Sequence, residues 1–248
     1  MADALTMSAR SIRLSMRHVD ALLTSLFLPV MLMLLFVELF GGAIETGEGS
    51  YVTYVVPGVI LLCAGFGSAT TAVSVSQDMT GGIVDRLRSM DVGGPAVLAG
   101  HVAASVARNV ASTVLVIGVA LALGFHPHAS ALDWLAVAGV LLAFVVAVSW
   151  LAAAIGLVAS SPEAANGFTF IVMFLPYASS AFVPVDTMPG WLQGFAAHQP
   201  VTPVTETLRG LLLGTPLDNE PWTALAWCAG ILVVSVAASA ALFRRRTS

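Results

Sequence analysis

Six apolar runs, each near the length that crosses a bilayer, constrain this chain more than any other feature. They cover roughly residues 22–40, 55–76, 102–125, 134–159, 167–185 and 222–243. A hydrocarbon core about 30 Å thick needs about 20 residues of helix to span it. None of the runs alternates with period two, as the strands of a membrane barrel do. Apolar residues make up 58% of the chain and charged residues 10%, whereas a water-soluble domain carries about 25% charged residues. Such a chain cannot cover a water-facing surface. The expected fold is all-α: a polytopic membrane protein with six transmembrane helices in one domain over residues 1–248.

The arginines set the expected orientation. Arg10, Arg13 and Arg17 precede the first run. Arg86 and Arg88 lie between the second and third, with Arg108 just beyond, and Arg244, Arg245 and Arg246 follow the sixth. Only Arg209 falls on the other side, where acids gather instead, among them Asp186, Glu206, Asp218 and Glu220. Basic residues mark the cytoplasmic side, so both termini are expected to be cytoplasmic and the protein multi-pass in the plasma (inner) membrane. Glu38 falls near the outer end of the first span. Arg108 lies 17 residues before Phe125, about 26 Å along a helix at about 1.5 Å per residue. At that depth it can snorkel to the inner interface or pair inside the bundle.

Three segments are neither spans nor simple loops. Residues 1–21 carry Arg10, Arg13 and Arg17 at helical spacing, opposite Leu5, Ala9, Ile12 and Met16, the pattern of an amphipathic helix lying on the membrane surface. Residues 78–94 are charged and bounded by glycines. Ile83, Leu87 and Met90 make one apolar face of a short helix, and Asp85, Arg86 and Arg88 lie on others. So short a helix needs a partner to be stable. Residues 186–221 read as two short outer helices that dip into the membrane or roof the bundle. One is "MPGWLQGFAAH", with Trp191 at headgroup depth. The other is capped by Thr202 and stopped by Gly214, and Glu206 and Arg209 are placed to pair.

Catalytic constellations are missing. There is no GxxxxGK[ST] phosphate loop, no HExxH and no GxSxG. His126 and His128 have no third ligand beside them, so no metal site is expected. No basic run with interleaved aromatics marks a nucleic-acid binder. Cys63 and Cys228 read as small buried residues in helices. Hydroxyls inside the spans usually pack helices together; Thr70, Tyr177 and Ser180 are the candidates for a substrate path. What remains is a bundle with no energy source of its own and a short inner helix in want of a partner. That combination suggests a permease driven by a separate motor, against which stand an ATP-independent scaffold or channel and an intramembrane enzyme.

Two blocks carry a family resemblance. "GGIVDRLRSMDVGGPAVLAGHVAASVARN" resembles the first cytoplasmic loop of type-2 ABC exporter permeases of the daunorubicin/doxorubicin-resistance branch, and "FLPYASSAFVPVDTMPGWLQGFAAHQPVTPVTETLRGLLLG" resembles the same family's signature across span five and the outer helices. Relatives often have Leu-Pro where Met90-Asp91 stands, arginine at His101 and Asn-Pro at Gln199-Pro200. The resemblance implies a membrane subunit that exports an amphipathic drug, lipid or natural product. It implies two such subunits, as a homodimer, with two copies of a separate ABC ATPase that holds the ATP and Mg; no cofactor is expected on this chain. Gly82, Ile83, Asp85, Arg86, Leu87, Arg88 and Met90 would form the coupling helix that docks on the ATPase. The surface helix with Arg10, Arg13 and Arg17 would touch the same partner. The outer helices, with Trp191, Glu206 and Arg209, would gate release.

Overall fold

The computed structural model describes residues 19–40, 51–81 and 94–247. Eight α-helices run through these residues: α1 (Val19–Phe40), α2 (Tyr51–Thr80), α3 (Gly94–Ala122), α4 (Ala131–Val158), α5 (Pro162–Met173), α6 (Gly190–His198), α7 (Val201–Leu213) and α8 (Glu220–Thr247). Residues 1–18 of the expected surface helix (1–21) and the coupling residues Gly82 to Met90 lie outside the described residues, while residues 19–21 belong to α1.

Local chemistry sets the helix ends. Ser130 and Asp133 form a reciprocal capping box at the start of α4, with the Ser130 amide donating to Asp133 Oδ2 at 2.8 Å and the Asp133 amide to Ser130 Oγ at 3.3 Å. Gly124 and Gly214 adopt φ of 93° and 70° beyond α3 and α7, a left-handed turn that costs glycine nothing. Gly214 therefore stops α7 as its sequence implies. At the other end the structure corrects the expected cap. The cap position falls on Pro200 and the Val201 amide is taken by Gln199 Oε1 at 3.2 Å, so α7 starts at Val201, two residues earlier than a Thr202 cap implies. α2 keeps its helical bonding through Thr80 and ends in a turn at Gly81, and residues 82–93 of the charged segment lie outside the described residues.

The long helices run alternately up and down. The end that carries α6 and α7 is called upper here, and the end with Gly81 and Gly94 lower. α2 is the central helix, packed by α1, α3, α4, α5 and α7; α4 is the second hub, and α8 lies against α4 and α7. Val55, Val56, Val59, Ile60, Leu61 and Leu62 of α2 are all buried. Small residues let backbones approach closely: a Cβ at Gly156 of α4 would lie 2.5 Å from Ala72 O of α2. Conversely Leu132, Leu135, Val233 and Val234 point outward, as lipid-facing residues of a bundle do. Cys63 and Cys228 are buried and unbridged.

Among the described residues, Tyr51–Thr80, Ala96–Ala122, Ala131–Val158 and Glu220–Phe243 are long and apolar enough to cross a membrane. α1 contributes 22 residues, about 33 Å of helix. The fifth span departs from expectation. In place of one helix over residues 167–185, α5 starts earlier, capped by Ser161, and ends at Met173; a 3₁₀ turn at Leu175–Ala178 and irregular chain follow. Pro176 and Pro184 lack the amide that a continuing helix requires.

Candidate functional site: the broken fifth span and its upper cavity

Irregular backbone at membrane depth needs hydrogen-bond partners from within the protein, because hydrocarbon supplies none. Here other elements supply them. Tyr54 Oη, from α2, donates to Ser180 O at 2.9 Å, and Tyr51 Oη to Phe182 O at 3.2 Å. Arg209, from α7, donates through Nη2 to the same Ser180 O at 2.9 Å and to Tyr54 O at 3.3 Å. Gln199 Nε2 donates to Leu175 O at 3.2 Å and Ala178 O at 3.4 Å. The Ser180 amide donates to Thr202 Oγ1 at 3.3 Å. The break is thus tied on one side to the start of α2 and on the other to α6 and α7.

Arg209 is the centre of this arrangement. Its Nη1 donates to Glu206 Oε1 at 2.6 Å, and its guanidinium lies 3.9 Å from the Tyr54 ring centroid. One planar fork therefore serves a carboxylate, two carbonyls and a π face, a set that the point charge of lysine cannot reproduce. A cavity of about 560 Å³ opens beside it, lined by Tyr54, Ser180, Val185, Asp186, Glu206 and Arg209 among others.

Below the cavity, aromatic rings continue along the broken span. Phe170 and Phe174 meet edge to face at 5.0 Å, Phe174 and Tyr177 at 5.9 Å, Tyr177 stacks on Phe182 at 5.3 Å, and Phe182 on Phe36 of α1 at 4.6 Å. Phe170, Phe174 and Tyr177 keep one side exposed.

A second polar cluster sits at mid-bundle. Ser149 donates to Ser105 Oγ at 2.8 Å and lies 3.3 Å from Ser68 Oγ. Arg108 stands at the midpoint of α3 and turns inward. Its Nη2 donates to Gly67 O at 3.2 Å and Thr71 Oγ1 at 3.1 Å on α2. The snorkel to the inner interface is therefore corrected: a neighbouring helix offers the guanidinium acceptors at its own depth. Glu38 is exposed near the end of α1. At the lower end, His101 Nε2 meets Asp78 Oδ2 at 3.0 Å, joining α2 to α3 on either side of residues 82–93.

The structure brings together Ser180, Glu206 and Arg209, with Tyr177 two rings away from the Phe36 end of the aromatic row. It does not bring in Thr70, whose hydroxyl donates to Gly67 O at 2.8 Å within its own helix. Nor does Trp191 line the cavity; it is 81% exposed on α6, as a headgroup anchor is. Tyr51 and Tyr54 escaped the sequence reading, and Gln199 entered it only as a departure from relatives, without a role. Their only signals are two tyrosines at the head of a span and a glutamine before Pro200.

Comparison with known proteins decides the family. The profile of the ABC-2 type transporter family matches residues 3–213. The chain belongs to that family. It is similar to the daunorubicin resistance ABC transporter permease protein DrrB1 of Streptomyces coeruleorubidus, at 31% identity over 92% of this chain and 81% of that one. It is also similar to a protein of Mycobacterium tuberculosis named "Probable doxorubicin resistance ABC transporter permease protein DrrC", at 24% identity over the full chain and 90% of the relative. The match to the family takes in the broken span, α6 and α7, so the whole upper site belongs to the ABC-2 unit. The protein is a membrane-embedded ABC-2 permease, and its relatives are named as permeases rather than ATPases.

Proposed function

We propose that this chain is the transmembrane subunit of an exporter. It moves an amphipathic drug, lipid or related natural product out of a bacterial cell, on ATP hydrolysed by a separate subunit. The observation that carries this reading is the family match over residues 3–213, joined by relatives named for daunorubicin and doxorubicin resistance. A drug-sized cavity of about 560 Å³ next to a row of exposed rings supports it, since sites for such molecules are mostly apolar with a few placed polar groups.

In this reading two copies of the chain pair in the plasma membrane, with both termini in the cytoplasm, and two ATPase subunits bind below. Residues 82–90 form the docking helix, with Ile83, Leu87 and Met90 as its apolar face and Asp85, Arg86 and Arg88 as its charged rim. The helix that bears Arg10, Arg13 and Arg17 lies beside it. ATP and Mg stay on the partner. Closure of the ATPase dimer pushes the docking helix, and the Asp78–His101 pair passes the push to α2 and α3 together. α2 carries Tyr51 and Tyr54, which hold the broken span, so its movement reaches the upper site directly. α6 and α7, with Glu206 and Arg209, then gate release, and Tyr177 and Ser180 line the way out.

The test is co-purification with the ATPase. Asp85→Arg and Leu87→Asp are each expected to weaken retention of the ATPase by about tenfold, the effect of one lost apolar anchor or one reversed charge in a small interface. Export should fall in parallel while the permease itself is recovered in normal yield. Unchanged retention and export in both variants would remove the docking role.

A further inference from the structure

We propose that His101 is a positioning residue for coupling: when protonated it holds the lower ends of α2 and α3 together through Asp78, and it slackens that hold as the ATPase side becomes more basic. This rests on the export reading and adds a control by pH to it. His101 Nε2 meets Asp78 Oδ2 at 3.0 Å, with the two side chains 12% and 19% exposed. Val75 and Leu98, each one turn from a member of the pair, belong to a buried apolar cluster with Leu157 and Phe243, which keeps water from that side. Among the described residues, only the His101 ring bonds the Asp78 carboxylate. A carboxylate so enclosed depends on the charge of its partner. The other polar ties between α2 and α3 lie higher, where Ser105 and Arg108 donate to Gly67 O and Arg108 to Thr71 Oγ1. Below that level, among the described residues, the Asp78–His101 pair is the only side-chain hydrogen bond between the two helices.

The charges around the pair are few. Asp78 is the one Asp, Glu, Lys or Arg of α2, and α3 carries one other charge, Arg108, which turns to Gly67 and Thr71. At the lower end α4 carries none, α5 carries the exposed Glu163, α1 carries Asp20 with His18 just before it, and α8 carries Arg244, Arg245 and Arg246. Residues 82–93, which join the two helices, carry Asp85, Arg86, Arg88 and Asp91. Histidine changes charge between about pH 5 and 8. A neutral ring still donates from Nε2 in one tautomer, but it loses the positive charge that makes such a bond strong. The hold is therefore full at the acidic end of that window and weakens as pH rises through it.

Vesicles carrying the full permease–ATPase complex, with the same buffer on both sides, give doxorubicin accumulated per ATP hydrolysed at about pH 6 and about pH 8, on either side of the histidine midpoint. That ratio is expected to fall about threefold between the two in the wild type, the scale of one partly exposed charge pair. It should not fall in His101→Arg, whose guanidinium stays charged, nor in Asp78→Asn, which has no charge to pair. A second measurement does not depend on transport. Nitroxide labels at Thr80→Cys and Ala99→Cys report the spacing of the two lower ends by pulsed electron paramagnetic resonance; Cys63 and Cys228 are buried. Their distance distribution should widen from the acidic to the basic buffer, and should not widen when His101→Arg is added. A pH profile shared by the wild type and His101→Arg, a fall retained in Asp78→Asn, or a label spacing indifferent to pH would overturn the role. Failure of the export reading shows separately: a complex whose labels respond to pH as expected but which moves no doxorubicin with ATP keeps the pH-set hold and loses the transport role.

Discussion

Arg209→Ala is expected to lower stability by about 3 kcal/mol, because removing one partner of a largely buried pair leaves the other charge uncompensated. The side chain of Arg209 is 11% exposed and that of Glu206 35%, which places the cost near the lower end for buried pairs. Two carbonyls also lose a donor. Tyr54 Oη still reaches Ser180 O at 2.9 Å, and Tyr54 O lies within the α2 ladder, so the loss falls mainly on the Glu206 carboxylate. Arg209→Lys should recover less than half of the loss, since an ammonium cannot bridge the carboxylate and both carbonyls from one plane. Thermal unfolding of the purified protein measures both. Full rescue by lysine would mean that charge alone matters and that the fork does not hold the broken span.

Gly156→Leu is expected to prevent recovery of the folded protein, and Gly156→Ala to cost about 1–3 kcal/mol through overpacking. A Cβ at this position would lie 2.5 Å from Ala72 O and 2.9 Å from Val75 Cβ. Both are parts of α2 that cannot swing aside as the end of a long side chain can. The contact joins the two hub helices, so the separation would spread to the rest of the bundle. Size-exclusion recovery and the thermal midpoint after membrane extraction test this. A Gly156→Leu protein with an unchanged midpoint would show that α2 and α4 are not held at the spacing described.

The spans were legible because a run of apolar residues near bilayer length has one main use. α2, α3, α4 and α8 follow the runs, and Gly214 and the Glu206–Arg209 pair follow from local spacing. The break in the fifth span was not legible from hydropathy. Phe174, Leu175, Phe182 and Val185 keep that run apolar whether or not the backbone stays helical, and only Pro176 and Pro184 hint otherwise. The residues that make the break tolerable were less visible still. Tyr54 and Ser180 are 126 positions apart, Arg209 and Tyr54 155, and no local pattern links them. Arg108 illustrates the same limit. Counting residues along one helix gives a depth, but the acceptors at Gly67 and Thr71 belong to another helix. The docking helix of residues 82–90 rests on sequence alone.

One measurement tests the transport role most directly. Vesicles carrying the permease alone, the ATPase alone, or both are loaded with ATP and Mg on the ATPase side, and accumulation of a fluorescent amphipathic drug such as doxorubicin is followed across the membrane. Accumulation against its gradient is expected only where both subunits are present, and it should stop when ATP is replaced by a non-hydrolysable analogue. Drug movement at the same rate with the permease alone and without ATP would contradict the role proposed and make the chain a channel.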